Sequence, residues 1–304
     1  MSSSRYTLDP KLDIVFWMLF ARDSSRELLV SLLTAVLAPT TPITHVELLN
    51  PELDHAAIDE KGIVLDLRVM LGSGEQVDIE MQSRPHRALK ERILYYWARL
   101  YAEQMKRGAE YTELRRTIGV LFQNFSSPES PRFHSVFRIC EDRTRVVFSD
   151  QLELHVVELP QVGRGETESA EPLLMLWCKF LSATTDSELE ALAMKHPIMN
   201  QAKAALDELS EDPRARQQAE FREMSQRVYY TELNAARREG RQEGKAEGKA
   251  EGKAETLSRL LALKFGELPD DAKEWVKGAS EAELDRAIDR VLSANQLDEI
   301  AKKL

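Results

Sequence analysis

The stretch 63–82, IVLDLRVMLGSGEQVDIEMQ, holds the residues whose types and spacing point most clearly to chemistry. In its first half Ile63, Leu65, Leu67, Val69 and Leu71 fall on one side of an alternating pattern, and Val64, Asp66, Arg68 and Met70 on the other. In its second half Val77, Ile79 and Met81 oppose Gln76, Asp78, Glu80 and Gln82. Both halves are predicted strands with one core face. Gly72-Ser73-Gly74 is a short glycine-containing loop of the kind that closes a hairpin, and a loop centred on Ser73 sets Asp66 directly opposite Glu80. Facing side chains in an antiparallel pair have Cβ atoms roughly 4.5–5.5 Å apart, and like charges there destabilise the pair. A hard divalent cation is the usual compensation, since Mg²⁺ is held by one or two carboxylates and keeps water and phosphate oxygens in its other positions. The plain alternative is an exposed hairpin whose acids face water.

The elements that must position these acids follow from the flanking pattern. Ile14, Trp17, Met18 and Ala21 recur at helical spacing, and Asp23 or Ser24 then caps a second run, RELLVSLLTAVLA, which Pro39 ends. ITHVELLN (43–50) is a predicted strand, and a helix is predicted from about 86 to 107, ending near Gly108. TIGVLFQNF (117–125), FHSVFRI (133–139) and LELHVVEL (152–159) complete the strands. This order indicates an α/β mixed sheet flanked by helices. After a loop at 160–172 the chain is mostly helical. From Arg237 to Glu255 it repeats Glu-Gly-Lys-Ala units with glycines at 240, 244, 248 and 252, and the remainder reads as short amphipathic helices with a capping box at Ser280. The expected organisation is a core at 1–160, a helical extension at 161–236, a repeat helix or linker at 237–255 and a small helical domain at 256–304.

Composition narrows the function. Cys140 and Cys178 form no disulfide framework or zinc spacing, and the start MSSSRYTLDPKLD lacks the apolar core of a signal peptide. No apolar run approaches a membrane span. These features lead to the expectation of a cytoplasmic protein with no membrane partner. The net charge of −10 argues against a general nucleic-acid binder, yet Arg84 to Arg116 holds nine basic and four acidic residues. That local surface suits a phosphate backbone, or is an ordinary solvated helix face.

In order along residues 7–235, the stretches LDPKLDIVFWMLF, VLDLRVML, EQVDIEMQ, KERILYYWARLYAEQMKRGAEYTEL, RTIGVLFQNF, FHSVFRI and LELHVVELP resemble the Rpn family of recombination-promoting nucleases and transposase-like proteins, a branch of the PD-(D/E)xK nuclease superfamily. The segment beyond the glycine repeat is similar to a small helical domain that often ends members of that family. The resemblance implies a metal-dependent DNA endonuclease of low sequence selectivity, linked to recombination, mobile elements or defence against foreign DNA. It implies that Asp66 and Glu80 bind Mg²⁺ or Mn²⁺, and that Gln82 stands where the superfamily has its lysine, positioning water or a ligand oxygen. A neutral amide supplies no positive charge, so Arg92 or Lys90, and more weakly Arg68, are expected to provide it. Arg84 and Arg87 join them as candidate DNA contacts. Trp17 is a second departure, standing where the family commonly has lysine.

Other residues carry competing readings. Asp13 is a distant metal ligand or, more simply, a helix-start residue facing water. Asp78 is a second carboxylate or a solvated one. Tyr95, Tyr96, Trp97 and Tyr101 are core residues or a stacking surface for unpaired bases. His86, His134 and His155 form no defensible ligand set by spacing. The glycine repeat from Gly240 to Gly252, with the C-terminal helices, is expected to make a parallel homodimer seam in which Glu and Lys stripes complement each other between chains, the alternative being a charged linker. A different class of function, a catalytically degenerate nuclease fold serving as a DNA-binding or oligomeric module, accommodates both Gln82 and the acidic net charge.

Overall fold

The computed structural model describes residues 7–50, 66–127, 132–162 and 172–301. Ile63, Val64 and Leu65, expected to begin the first hairpin strand, lie outside them, as does most of the loop expected at 160–172. Six strands form one mixed sheet: β1 (Val46–Leu48), β2 (Asp66–Leu71), β3 (Gln76–Gln82), β4 (Thr117–Gln123), β5 (His134–Cys140) and β6 (Val147–Glu158), in the order β1-β2-β3-β4-β6-β5. The central strands β3, β4 and β6 run parallel, while β1 and β2 on one side and β5 on the other are antiparallel to their neighbours. The hairpin register is the expected one, with Asp66 facing Glu80. It is set by the turn: Leu71 N–H donates to Glu75 O and Gly74 N–H to Leu71 O, both at 2.8 Å, and Gly74 takes a φ of 87° that a side chain would resist.

Alternation in β2 sends Leu67, Val69 and Leu71 into the core and leaves Asp66, Arg68 and Met70 half-buried. In β3 and β4, covered on both faces as parallel strands usually are, nearly every residue is buried. The expectation of a single core face is therefore wrong for β3, and the hairpin acids do not simply face water. One sheet face packs on helices α1 (Asp13–Phe20) and α2 (Arg26–Leu37), and α4 (Pro172–Ser182), α5 (Asp186–Ala193) and α6 (Pro197–Glu211) join the same core, which includes Phe16, Phe20, Leu29, Leu32, Trp177 and Leu206. The other face carries Asp78, Glu80 and Gln82 beneath α3 (Leu89–Glu103), shorter at both ends than expected. Two bonds fix α3 over the sheet, one from the helix and one from the residue that caps it: Trp97 Nε1 donates to Thr117 O and Gln104 Nε2 to Thr117 Oγ1, each at 2.9 Å.

Asp13 corrects the sequence reading. It does not face water but is buried, receiving Arg222 Nη2 at 2.6 Å and Gln226 Nε2 at 3.2 Å from the long helix α7 (Pro213–Phe265). Trp17 packs against the same core.

The chain divides into two compact units, 1–227 and 228–304. In the second, the end of α7 supplies Leu257 and Leu261 to a separate core with α8 (Asp270–Gly278), α9 (Glu281–Val291) and α10 (Asp298–Ala301). Ser280 forms the expected capping box with Glu283. The glycine repeat is helical throughout, and Lys249 and Lys253 pair with Glu281, Lys253 also with Asp285. Lys249, then Lys253, draw the Glu281 carboxyl down to about 2. Two of the three lysines of the stripe are thus engaged within the chain, which leaves less of it for a partner than the repeat alone suggests. Among the described residues no helix is long and apolar enough to cross a membrane.

Candidate active site

The site is assembled where β2, β3 and α3 meet. Asn50 holds the edge of β2 as a further strand residue would: its Nδ2 donates to Asp66 O at 2.9 Å and its Oδ1 accepts Arg68 N–H at 2.8 Å. This clamp, together with pairing to β3, places Asp66 across from Glu80 and Arg68 across from Asp78. At the far end of β3, Ser83 Oγ donates to Lys11 O at 2.8 Å and ties the strand to the chain entering α1.

Two arginines serve the three acids. Arg68 Nε lies 2.6 Å from Asp66 Oδ2 and 4.0 Å from Asp78 Oδ1. From the inner side of α3, Arg92 Nη2 donates to Glu80 Oε2 at 3.2 Å and to Gln82 Oε1 at 2.8 Å. Arg92 therefore puts a guanidinium at the Gln82 carboxamide. Arg68, ranked below it, makes the shorter ion pair. Arg84, Arg87 and Lys90 are exposed around the start of α3, and the ion pairs holding Asp66 and Glu80 come from Arg68 and Arg92 rather than from them.

Electrostatically the acids are under strain. Burial, then the nearby charges of Asp66 and Glu80, push the Asp78 carboxyl well above its ordinary range, with Arg68 only partly opposing. Burial likewise raises Glu80 against the pull of Arg92. Burial works against the Arg68 cation too, but Asp66 and Asp78 more than restore it. Asp78 Oδ1 is buried with no hydrogen-bond partner, a costly arrangement for a carboxylate. Asp78 is thus a buried acid of the site rather than the solvated one that spacing allowed.

The donor set suits a hard cation. Carboxylate and carboxamide oxygens are the ligands Mg²⁺ and Mn²⁺ favour, and an excess of carboxylate over guanidinium leaves negative charge for a cation to meet. Among the described residues no three His, Cys, Asp or Glu side chains form a ready-made cage, so such an ion would complete its shell with water and substrate oxygens.

Spacing did not single out two further residues. In parallel register Gln82 neighbours Gln123, and Gln123 neighbours Glu158, so all three lie on the acid face at the carboxyl ends of β3, β4 and β6. All are buried. Each glutamine bonds two residues ahead, Gln82 Nε2 to Arg84 O at 2.7 Å and Gln123 Nε2 to Phe125 O at 3.1 Å. Glu158 accepts the Ser127 N–H at 3.2 Å. The only hint was a polar residue closing each apolar strand. The histidines also meet despite their uninformative spacing: His134 Nε2 lies 2.9 Å from His155 Nδ1, and His155 Nε2 2.8 Å from Glu153 Oε1. With both its ring nitrogens engaged, His155 belongs to a hydrogen-bonded chain on the opposite sheet face. The aromatic helix is mixed: Tyr95 is exposed, while Tyr96, Trp97 and Tyr101 are half-buried, so none is the fully buried core residue expected.

A mixed sheet with a parallel centre, flanked by helices and carrying opposed acids on a β-hairpin, defines the PD-(D/E)XK nuclease-like fold class. A family model described as PD-(D/E)XK nuclease family transposase matches residues 10–236, and the chain belongs to that family. No curated protein and no solved structure matches it.

Proposed function

We propose that the protein is a metal-dependent DNA endonuclease that hydrolyses phosphodiester bonds with low sequence selectivity. The observation that carries this reading is the pairing of Asp66 with Glu80 across β2 and β3, beside a buried Asp78 whose charge its neighbours do not offset. Asp66 and Glu80 would hold Mg²⁺ or Mn²⁺, which would supply Lewis acidity and a more acidic water as nucleophile. Arg92 provides the positive charge that a lysine at position 82 would have given the phosphate. Gln82 fixes Arg92 through its Oε1 and is itself fixed by Arg84 O, so it positions the guanidinium as well as any water that enters. Arg84, Arg87 and Lys90 approach the flanking phosphates, where charge steers without reading bases.

Supercoiled plasmid incubated with Mg²⁺ is the test. Nicking that EDTA stops, and that both Asp66→Ala and Glu80→Ala abolish, is the expected result; full cleavage by either variant removes the assignment. A role in recombination, mobile-element movement or defence against foreign DNA, inside the cytoplasm, accords with the family. We further propose that α7 associates in parallel with a second copy through Gly240–Gly252, where added Cβ atoms would meet nothing within 4 Å in the single chain. Monomeric full-length protein in light scattering at micromolar concentration rejects that arrangement.

The second reading, a degenerate nuclease fold that binds DNA without cutting it, is favoured by one observation. Arg68 and Arg92 already engage both acids, doing part of what a cation would do.

A further inference from the structure

Helix α3 presents an anomaly beside the site. Its inward side is formed by Leu89, Arg92, Ile93, Tyr96, Trp97 and Leu100, all buried or half-buried. The outward side, where a surface helix normally carries charge, holds Leu94 and Tyr95, exposed by 50% and 62%. One turn before them on the same side come Lys90 and Glu91, and one turn after them Ala98 and Arg99. Ala98 is small, so Leu94 and Tyr95 stand above the helix surface. The Tyr95 ring is braced edge-on by Tyr96, with centroids 5.7 Å apart. Along the helix it follows Arg92, whose guanidinium touches Glu80 and Gln82 from the inward side, by three residues, a rise of about 4.5 Å.

We propose that Leu94 and Tyr95 form a stacking platform for a nucleobase displaced from its helix, and that the site therefore prefers DNA with unpaired bases, whether single-stranded, gapped or branched, over continuous duplex. The inference deepens the nuclease reading and rests on it. Two features choose this occupant over a protein. Leu94 and Tyr95 are the only large apolar side chains of α3 that are exposed, an area that matches one base and falls far short of the roughly 800 Å² per partner of a standard protein interface. The platform also continues, at its N-terminal end, into the exposed Arg87 and Lys90, with Glu91 the single acid among them. A polyanion with a flat apolar face matches that sequence of charge followed by aromatic surface. An aromatic ring stacks on any base, so the preference is for structure and not for sequence.

Fluorescence anisotropy in EDTA measures binding apart from cleavage, with a labelled oligothymidine and a mixed-sequence duplex of the same length as probes. Tyr95→Ala is expected to weaken oligothymidine binding by about ten-fold while leaving the duplex within about two-fold, and Tyr95→Phe to retain the parental value, because stacking needs the ring and not the hydroxyl. Leu94→Ala should show a smaller loss of the same kind. Equal losses for both probes, no loss for either, or a change in molecular mass by light scattering with DNA binding intact each overturn the platform, the last by assigning the surface to a second copy. The nuclease reading fails separately: a parent protein that shows the selective Tyr95 effect but never nicks plasmid keeps the platform and loses the enzyme. A parent protein that binds neither probe loses both.

Discussion

Buried acids lie on both faces of the same sheet, and their charge is balanced in opposite ways. On one face Glu153 of β6 is surrounded by Arg116, Arg138 and His155. Burial alone would raise its pKa, but the bonds from His155 and Arg138 and the charge of Arg116 outweigh burial and hold it at about 2. On the other face Asp66, Asp78 and Glu80 share only Arg68 and Arg92, and Asp78 and Glu80 are pushed upward. The first centre has cation to spare, the second a deficit. On the proposed reading, that deficit is what a cation held by the hairpin acids would fill. The Glu153 centre is what a structural ion-pair network looks like, and the hairpin acids differ from it in kind.

The largest effect that separates the two is on rate. Arg92→Ala removes the charge at Gln82 and should lower plasmid nicking by about 10²–10³, the usual loss for one transition-state donor. Arg138→Ala should do nothing to the rate; parallel losses in both variants would erase the distinction.

Next comes stability. Glu153→Ala removes the shared partner of two guanidinium groups and a histidine and should cost about 2–3 kcal/mol, below the usual figure for a fully buried pair because Arg116 and Arg138 are partly solvated. Calorimetry checks it, and an unaltered melting temperature would mean the network is not structural. Asp78→Asn should go the other way. A carboxyl whose folded pKa is raised stays protonated to higher pH than in the unfolded chain, so its contribution is present below about pH 4 and is lost as pH climbs through the folded value. The amide escapes that loss. In metal-free protein at pH 7–8, Asp78→Asn is expected to gain about 1 kcal/mol, or roughly 2–4 °C, and the gain should vanish near pH 4. Destabilisation at neutral pH would show that Asp78 is satisfied after all.

Smallest is the effect of His134, which burial, then the facing His155, lower to about 4. An unfolded histidine takes up its proton near pH 6.5, so the fold loses stability as pH falls from there to 4. His134→Gln should flatten that slope in thermal melts, and a slope identical to the parent's would place the proton elsewhere.

Much of the acid centre is legible in the sequence, for reasons particular to hairpins. Period-two alternation fixed the faces of β2 and β3, and a three-residue glycine loop fixed their offset, so Asp66 and Glu80 could be paired by counting. Glu158 and Gln123 could not, because parallel strands are joined through long crossovers and spacing says nothing of their register. Asp13 was misread for a related reason. Its partner Arg222 lies 209 positions away on a helix that looks solvated by composition. The pattern of α3 was correctly helical, but aromatic residues invite a core assignment, and only the packing of Leu89, Trp97 and Leu100 reveals that Tyr95 points outward.

The central claim, that the hairpin acids carry a charge deficit which a cation fills, is decided by calorimetric titration of Mn²⁺ into metal-free parent, Glu80→Gln and Glu153→Gln proteins at neutral pH. The account predicts saturable binding in the parent, its loss in Glu80→Gln and its retention in any folded Glu153→Gln protein. Parent protein that takes up no Mn²⁺, or uptake that survives Glu80→Gln unchanged, would contradict it.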